Sequence, residues 1–265
     1  MDVKYVMKAI VYACSSYPKP GAPHRFSPEN DFELCMVTGL ATHGIVEEFL
    51  ESLEKLGRGA ISIGDVGLGN AMARCVEEAT RELGHRLVIE IALSIPVAAA
   101  LAWAEQRGEG PSFVTKLFML SPPSDAKKLV DALRALGGEY AYDLEKADLS
   151  SRRVLVESLS LDDVLNSLAR TSKRYAYVRA IEVHGALQKV MEYIGKGRSV
   201  SEALAYPYIE LLEEEGVRGV RDLFEKRSIV ELLRIDAAMK KRGERYTHLL
   251  PPVLYVATLA CLRGL

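Results

Sequence analysis

Apolar residues recur at helical spacing along most of this chain, and the pattern predicts a helical protein. In residues 4–16, for example, Val6, Ile10 and Cys14 fall on one helix face. Strand signals are confined to 60–63 and 152–156, without β-α-β alternation or an internal repeat. We therefore expect one all-α domain over residues 1–265, with about ten or more helices. Further predicted helices cover 32–56, 69–83, 124–136, 161–194 (one long helix or two joined ones), a segment starting at Ser199 or Ser201, 227–240 and 249–263.

Segment 87–104 is apolar over nearly its whole length, about as long as a helix that crosses a membrane. Glu90, Ser94 and Pro96 interrupt it, and no comparable second segment follows. We therefore interpret it as a central helix that is buried on nearly all sides, and we expect no membrane partner. The predicted fold is a multi-helix bundle around this helix. The same apolar surface would suit a dimer interface, so a homodimer stays open.

Composition limits the classes of partner. The chain has 265 residues, 49% of them hydrophobic, which is enough for a sizeable core. Its formal net charge of −2 gives no electrostatic reason to expect nucleic acid as a partner. The N-terminus lacks a signal-peptide layout, so we expect a cytoplasmic protein. Asn and Gln are rare whereas Glu and Arg are abundant, a composition typical of thermophilic proteins.

The four cysteines, Cys14, Cys35, Cys75 and Cys261, lie far apart and form no CxxC pair. A structural zinc site is therefore not expected. Each cysteine lies among apolar residues, and we interpret them as small core side chains, with a disulfide left open.

A proline-studded loop joins the first two predicted helices and carries most of the candidate chemistry. It begins Tyr17-Pro18-Lys19-Pro20-Gly21, and its prolines prevent helix formation. Cations and carboxylates crowd into fifteen residues of this region, a combination suited to phosphate and metal binding. The alternative is a surface turn with ordinary solvated charges. The charged side chains are Lys19, His24, Arg25, Asp31 and Glu33.

A second loop places Gly64, Gly67 and Gly69 at the start of a predicted helix. Glycine lets main-chain amides approach a ligand, and a helix N-terminus favours anions, so this turn resembles a phosphate cradle. It lacks the Gly-Lys-Ser/Thr of a P-loop and the β-α-β context of a dinucleotide site. A plain capped turn is the alternative. Asp65 either holds a metal ion beside the phosphates or faces water.

The two loops together resemble a known family. Residues 17–21, with His24, Arg25 and the acidic pair beyond, resemble the Pro-Lys-Pro-Gly region of triphosphoribosyl-dephospho-CoA synthase. Later features follow in the same order: the glycine-rich turn at 64–69, a polar helix at 180–185, a segment at 222–227 and an apolar terminal helix. The resemblance spans nearly the full chain and implies an all-α fold.

The resemblance also implies a reaction. ATP, or a related nucleotide, would give its triphosphoribosyl group to a hydroxyl of 3′-dephospho-CoA or a similar acceptor, and adenine would leave. Mg²⁺ would accompany the triphosphate. On this reading Asp31 and Glu33 bind magnesium or polarise the ribose, Asp65 completes the metal site, and His24 carries a proton. The implied substrate-binding residues are Lys19, Arg25, Gly67, Gly69, Asn70, His184 and Arg227.

The chain departs from that family at two places. Asp65-Val66-Gly67-Leu68-Gly69 stands where relatives have Asn-Thr-His-Lys-Gly or Asn-Thr-Asn-Leu-Gly, and residues 246–252 replace an Asn-Pro-Gly piece followed by Asp. These changes favour an alternative function: a non-catalytic helical module that binds a nucleotide or a partner protein.

Two further features are ambiguous. The basic, aromatic run 173–179 suits either a nucleotide pocket or a solvated face. His248 either replaces a lost polar group of the family or simply starts the last helix, and His184 has a similar structural alternative.

Overall fold

A computed structural model of the chain describes residues 1–27 and 30–265. These residues form sixteen α-helices and four short 3-10 helices, with no strand among them. The all-α prediction is confirmed. The α-helices are α1 (Lys4–Ser15), α2 (Asp31–Leu40), α3 (His43–Gly57), α4 (Leu68–Leu83), α5 (Ile89–Gln106), α6 (Pro111–Met119), α7 (Pro123–Leu136), α8 (Gly138–Lys146), α9 (Ser151–Val156), α10 (Leu161–Thr171), α11 (His184–Gly195), α12 (Val200–Ala203), α13 (Tyr206–Glu214), α14 (Val220–Glu225), α15 (Ile229–Lys241) and α16 (Leu250–Leu262). The 3-10 helices are Ile63–Asp65, Gly84–Arg86, Lys173–Tyr175 and Thr247–Leu249.

Helix α5 occupies the centre of the bundle, as predicted. Every side chain from Ile89 to Ala104 is buried, and α5 packs against α1, α2, α3, α4, α6 and α16. Its length and apolar composition would suit a membrane span, the one such helix in 1–27 and 30–265, but 89% of it is buried inside the protein. It is a core helix, because neighbouring helices surround it on all sides.

The second buried helix is α16, which packs against α1, α5, α11 and α13. Pro251 and Pro252 stand in its first turn, where the missing N–H costs no intrahelical hydrogen bond. One continuous apolar core includes residues from α1 through α16. The first and last helices of the chain are therefore in contact. The loop after α1 and the segment before α16 also meet, because the Tyr246 amide donates to Gly21 O.

One long predicted helix is interrupted, and a second segment forms two helices, one of its two predicted alternatives. Segment 32–56 divides into α2 and α3, and the Thr42 hydroxyl donates to Gly39 O at the break. Gly39 itself packs directly on Ile10, since a Cβ there would lie 2.2 Å from Ile10 Cγ2. Segment 161–194 divides into α10 and α11, separated by residues 172–183, whose Val178 carbonyl accepts a hydrogen bond from the Tyr255 hydroxyl.

Neither ambiguous segment forms a strand, although residues 60–62 are non-helical and Ser62 has an extended backbone. Ser62 caps the 3-10 helix Ile63–Asp65, and 152–156 lies within α9.

Cys14 and Cys35 form a disulfide that joins α1 to α2, with their Cα atoms 5.7 Å apart. The interpretation of all four cysteines as plain core side chains is therefore wrong for this pair, and the open alternative is correct. The two cysteines are distant in sequence, so the sequence alone did not predict their pairing. They meet because α2 folds back on α1. The bridge brackets the proline-rich loop and fixes both of its ends. Cys75 and Cys261 are free and buried.

Reduction of this disulfide is expected to lower the free energy of unfolding by about 3 kcal/mol, the cost of releasing a loop of this length in the unfolded chain. Thermal melting with and without reductant measures the change. A thiol assay of the denatured chain is expected to count two free cysteines before reduction and four after. Four thiols in the untreated protein would show that the bridge does not form.

Candidate functional site

The proline-rich loop is mostly buried. Lys19 and His24 have no solvent exposure. The Lys19 ammonium donates to the main-chain carbonyl of Ala13 in the last turn of α1. Burial in the apolar interior holds the pKa of Lys19 well below its usual value, because the charged amine loses its hydration. Lys19 therefore binds the protein's own backbone and does not line a cavity.

Asp236 of α15 is the polar partner of this loop. Its Oδ1 accepts a hydrogen bond of 2.9 Å from the Gly21 amide, and its Oδ2 lies 3.2 Å from His24 Nε2 and 3.3 Å from Lys240 Nζ. Burial alone would raise the pKa of Asp236, but the nearby His24 imidazole and the Gly21 amide outweigh it and lower the pKa. Burial lowers the pKa of His24, so its imidazole favours the neutral form.

The loop also holds a segment that is distant in the chain. The Tyr246 amide donates to Gly21 O at 2.9 Å, and the Tyr208 hydroxyl donates to Pro20 O at 2.5 Å. Gly21 has a φ of +79°, and a Cβ there would lie 2.9 Å from Tyr246 Cδ2, so only glycine fits. We call residues 17–24 the anchor loop, because they fix the position of residues 245–248.

A cleft of 620 Å³ opens beside the anchor loop, and residues 245–248 form one of its walls. Five parts of the chain meet there: Pro23 and the start of α2, residues 85–90 ahead of and within α5, the start of α8, residues 172–174, and residues 245–248. Its size falls in the range of ordinary small-molecule sites. We refer to it as the cleft.

Arginine and lysine side chains surround the opening of the cleft. Arg86 is exposed and forms no ion pair with any residue in the described ranges. Arg174 lies 2.6 Å from Glu139 Oε2 and 3.1 Å from Asp143 Oδ2, and it covers the ring of Tyr140. Arg245 lies 3.2 Å from Asp31 Oδ2. Lys173 completes the group.

The first turn of α5 also lines the cleft, so the positive end of an eighteen-residue helix adds to the cationic side chains. Arginine guanidinium groups and the main-chain amides of a helix N-terminus both bind phosphate oxygens well.

Glu90 lies on the inner wall of the cleft with 6% of its surface exposed. Its Oε1 accepts a hydrogen bond of 2.8 Å from the Thr247 hydroxyl. Burial raises the pKa of Glu90, because the ionised carboxylate is poorly hydrated there. A carboxyl group whose pKa is raised by burial in a cleft is a candidate for proton transfer.

His248 is the second titratable group of the inner wall, with 7% of its surface exposed. Its ring lies between Tyr177 and Tyr246, with centroids 6.1 Å and 5.7 Å away. Its Nε2 lies 3.6 Å from Glu215 Oε1 and has no hydrogen-bond partner within the described residues. Burial lowers the pKa of His248, although Glu215 acts in the opposite direction.

Of the charged residues singled out near the proline-rich loop, only Asp31 lines the cleft. Arg25 is exposed elsewhere: it lies over the Tyr17 ring and 3.4 Å from Ser201 Oγ. Glu33 is exposed and lies outside the cleft lining. The expectation that this loop presents its basic side chains to a ligand is not met, because the buried Lys19 and His24 side chains make the anchor contacts.

The glycine-rich turn lies away from the cleft and is already occupied. The amides of Gly69 and Asn70 each donate to a carboxylate oxygen of Asp125 at 2.7 Å. Gly67, with φ +77°, stands just before α4, and a Cβ on Gly69 would lie 2.7 Å from Asp125 O. The glycines thus allow α4 to approach α7 closely, and Asp125 stands where a phosphate would bind.

The remaining predicted site residues are also separate from the cleft. Asp65 accepts hydrogen bonds from Ser62 and faces solvent. His184 begins α11, with Nε2 3.5 Å from Glu105 Oε2, and Arg227 lies 3.7 Å from Glu202. Neither lines the cleft.

The predicted magnesium ligands do not assemble. Asp31, Glu33 and Asp65 form no cluster, and no group of three or more His, Cys, Asp or Glu suited to a metal ion occurs in residues 1–27 and 30–265. A magnesium ion brought by a nucleotide takes most of its ligands from phosphate and water, so Asp31 alone is placed to contribute.

Sequence reasoning missed Glu90, Arg86 and Arg245 as site residues. Glu90 had a signal, since a carboxylate in a helix that is otherwise buried needs a polar partner. Arg86 and Arg245 had none, because charged residues beside helix ends are usually solvated.

No protein-family model, no curated protein and no solved structure matches the chain.

Asp125→Ala is expected to lower the free energy of unfolding by roughly 1–3 kcal/mol, because two amides at the start of α4 lose their acceptor. ATP affinity is expected to stay unchanged, since the turn lies outside the cleft. Chemical denaturation and calorimetric titration measure the two quantities, with the exposed Asp65→Ala as the matched control. A variant of normal stability that loses ATP binding would restore the phosphate-cradle interpretation.

Glu90→Gln is expected to stabilise the protein increasingly as pH rises. The folded-state pKa of Glu90 is raised, so its stabilising protonated form is complete at low pH and is lost as pH increases through that pKa. Each unit of pKa shift corresponds to about 1.4 kcal/mol. Melting temperatures of both proteins from pH 4 to pH 8 test this. A difference that shrinks toward pH 8 would contradict the assignment.

Proposed function

We propose that the chain is a transferase of the triphosphoribosyl-dephospho-CoA synthase type, and that its nucleotide site is the cleft. The resemblance around residues 17–33 supplies the reaction, the transfer of a triphosphoribosyl group from ATP to a hydroxyl of dephospho-CoA or a similar acceptor. The observation that carries the proposal is the combination of a cationic opening with buried titratable groups on the inner wall.

The opening suits the triphosphate. Arg86, Arg174 and Arg245 provide charged donors on different sides, and the first turn of α5 adds amides and dipole. Arg174 and Arg245 are held by Glu139 and Asp31, so they are oriented before a ligand arrives. Preorganised donors stabilise phosphate charge without a cost of reorientation during the reaction.

The inner wall suits the ribose and the bond that breaks. Substitution at the anomeric carbon builds positive charge on the sugar, and carboxylates near that carbon stabilise it. Asp31, Glu90 and Glu139 are the carboxyl groups among the cleft-lining residues. Glu139 pairs with Arg174 and burial shifts Glu90 toward its protonated form, so Asp31 is the carboxylate assigned to this role. Asp31 keeps the role of polarising the ribose that the resemblance implies. Lys19 and His24 act indirectly, because they hold the anchor loop that positions residues 245–248.

Adenine release tests the function. The purified protein is incubated with ATP, Mg²⁺ and dephospho-CoA at ordinary and high temperatures, and free adenine is measured. We expect release that depends on the acceptor. Arg86→Ala is expected to raise the KM for ATP about three- to tenfold, because one charged phosphate contact is lost, and the effect should shrink at high salt. The control is Arg152→Ala, an exposed arginine on α9 outside the cleft.

The outcomes separate the two parts of this proposal. Absence of adenine at every temperature would remove the transfer reaction. Equal KM values for the Arg86 and Arg152 variants would remove the cleft as the triphosphate site.

A second candidate is a protein that binds a nucleotide in the cleft without turnover. The replaced polar residues at 65–69 favour it, because Asp125 fills the space at that turn. Calorimetric titration with ATP that shows binding, combined with no adenine release, would support this candidate.

A further inference from the structure

On the proposed transfer reaction, we infer that His248 is the base that takes the proton of the incoming acceptor hydroxyl, with Glu215 as its positioning residue. The proposal rests on the function given above and names a catalytic residue of that site. The acceptor oxygen forms a bond to the anomeric carbon of ATP and gives its proton to the imidazole. The bond from that carbon to adenine breaks, its electron pair leaves with adenine, and adenine takes up a proton from water. The imidazolium later returns its proton to solvent, so charge and atoms balance.

The burial of His248 is the first argument. The side chain lines the cleft and yet is more than nine-tenths buried, and its Nε2 has no hydrogen-bond partner in the described residues. The nearest charged atom to Nε2 is Glu215 Oε1 at 3.6 Å, so this nitrogen faces a carboxylate without a hydrogen bond. A buried imidazole that borders a cleft and faces a carboxylate through one nitrogen has the arrangement of a general base.

Glu215 supplies the second argument. Its Oε1 lies 3.6 Å from His248 Nε2, and Glu215 is fixed by Lys173 and by the Tyr177 hydroxyl, which donates to Oε1 at 3.4 Å. A carboxylate on the Nε2 side favours the tautomer with the proton on Nε2, which leaves Nδ1 free to accept a proton. The Tyr177 ring stacks against the imidazole, and the Tyr246 ring lies tilted beside it.

The electrostatic surroundings favour the neutral form of the His248 imidazole. The elements packed against the 3-10 helix Thr247–Leu249 are α13, α16 and Lys173–Tyr175. The charged groups from these elements that act on His248 are Glu215, which follows α13, and Lys173. Burial and Lys173 lower the pKa of His248 and Glu215 raises it, with a net lowering, so the neutral base predominates at neutral pH.

Glu90 is the alternative proton acceptor in the cleft, and the geometry favours His248. Glu90 already accepts a hydrogen bond from Thr247, and burial raises its pKa, which shifts it toward the protonated form. A neutral imidazole takes a proton to become a cation beside Glu215, an arrangement that stabilises the product of the proton transfer.

The test compares His248→Gln with the unchanged protein. Glutamine keeps a donor near Glu215 but does not act as a base. Adenine release is expected to fall by about 10²–10⁴-fold, because a general base is lost, while ATP affinity by calorimetry stays within about twofold. The control is His43→Gln, an exposed histidine on α3 outside the cleft, with expected activity equal to that of the unchanged protein.

The pH profile provides the readout that a structural role would not give. In the unchanged protein the rate is expected to fall on the acid side as His248 becomes protonated, and this acid limb should be absent in His248→Gln. In Glu215→Gln the limb is expected to move to lower pH, because the carboxylate that raises the pKa of His248 is gone.

Each outcome bears on a different statement. Adenine release by His248→Gln at the rate of the unchanged protein, with the same acid limb, would overturn the assignment and leave the proposed function intact. Loss of ATP binding in His248→Gln would also overturn it, in favour of a role in binding. Absence of adenine release from the unchanged protein would remove the proposed function and this assignment with it.

Discussion

One main-chain hydrogen bond, from the Tyr246 amide to Gly21 O, connects the two halves of the candidate site. The bond joins the loop after α1 to the segment before α16, and α1 and α16 are themselves packed together. Asp236 strengthens the connection, since its carboxylate accepts from the Gly21 amide on the other side of the same residue. A position that binds through both its N–H and its C=O and has a φ of +79° admits only glycine. The wall of the cleft formed by residues 245–248 depends on that residue.

The buried lysine follows from the same constraint. An ammonium group loses hydration when it is buried, and Lys19 compensates by donating to Ala13 O at the C-terminal end of α1, where carbonyls lack intrahelical partners. The Lys19 side chain therefore closes a helix end and ties the loop to α1. The disulfide between Cys14 and Cys35 acts on the same region, since it fixes the distance between the two helices that the loop connects. The charged proline-rich loop is thus a structural element, and it contributes to the candidate site by positioning residues 245–248.

The sequence was sufficient for features that depend on local periodicity. The buried α5, the capped α4 and the proline-started α16 each have a pattern within a single segment, and each was predicted. Features that depend on pairing between distant segments were not accessible. Nothing near Gly69 reveals that Asp125 would occupy its amide, and nothing near Lys19 reveals that its partner is a carbonyl of the preceding helix. The cleft draws its lining from five separate parts of the chain. Asp31 was predicted as a site residue, whereas Lys173, Arg174 and His248 were each left with a structural alternative.

Burial has opposite effects on the pKa values of the two titratable groups of the inner wall, but the same effect on their charge. It raises the pKa of Glu90 and lowers that of His248, so both favour their neutral forms, whereas the arginines at the opening stay charged. The cleft therefore has a charged outer part and an inner part of low charge. A ligand that carries phosphates at one end and an uncharged reacting group at the other matches this division.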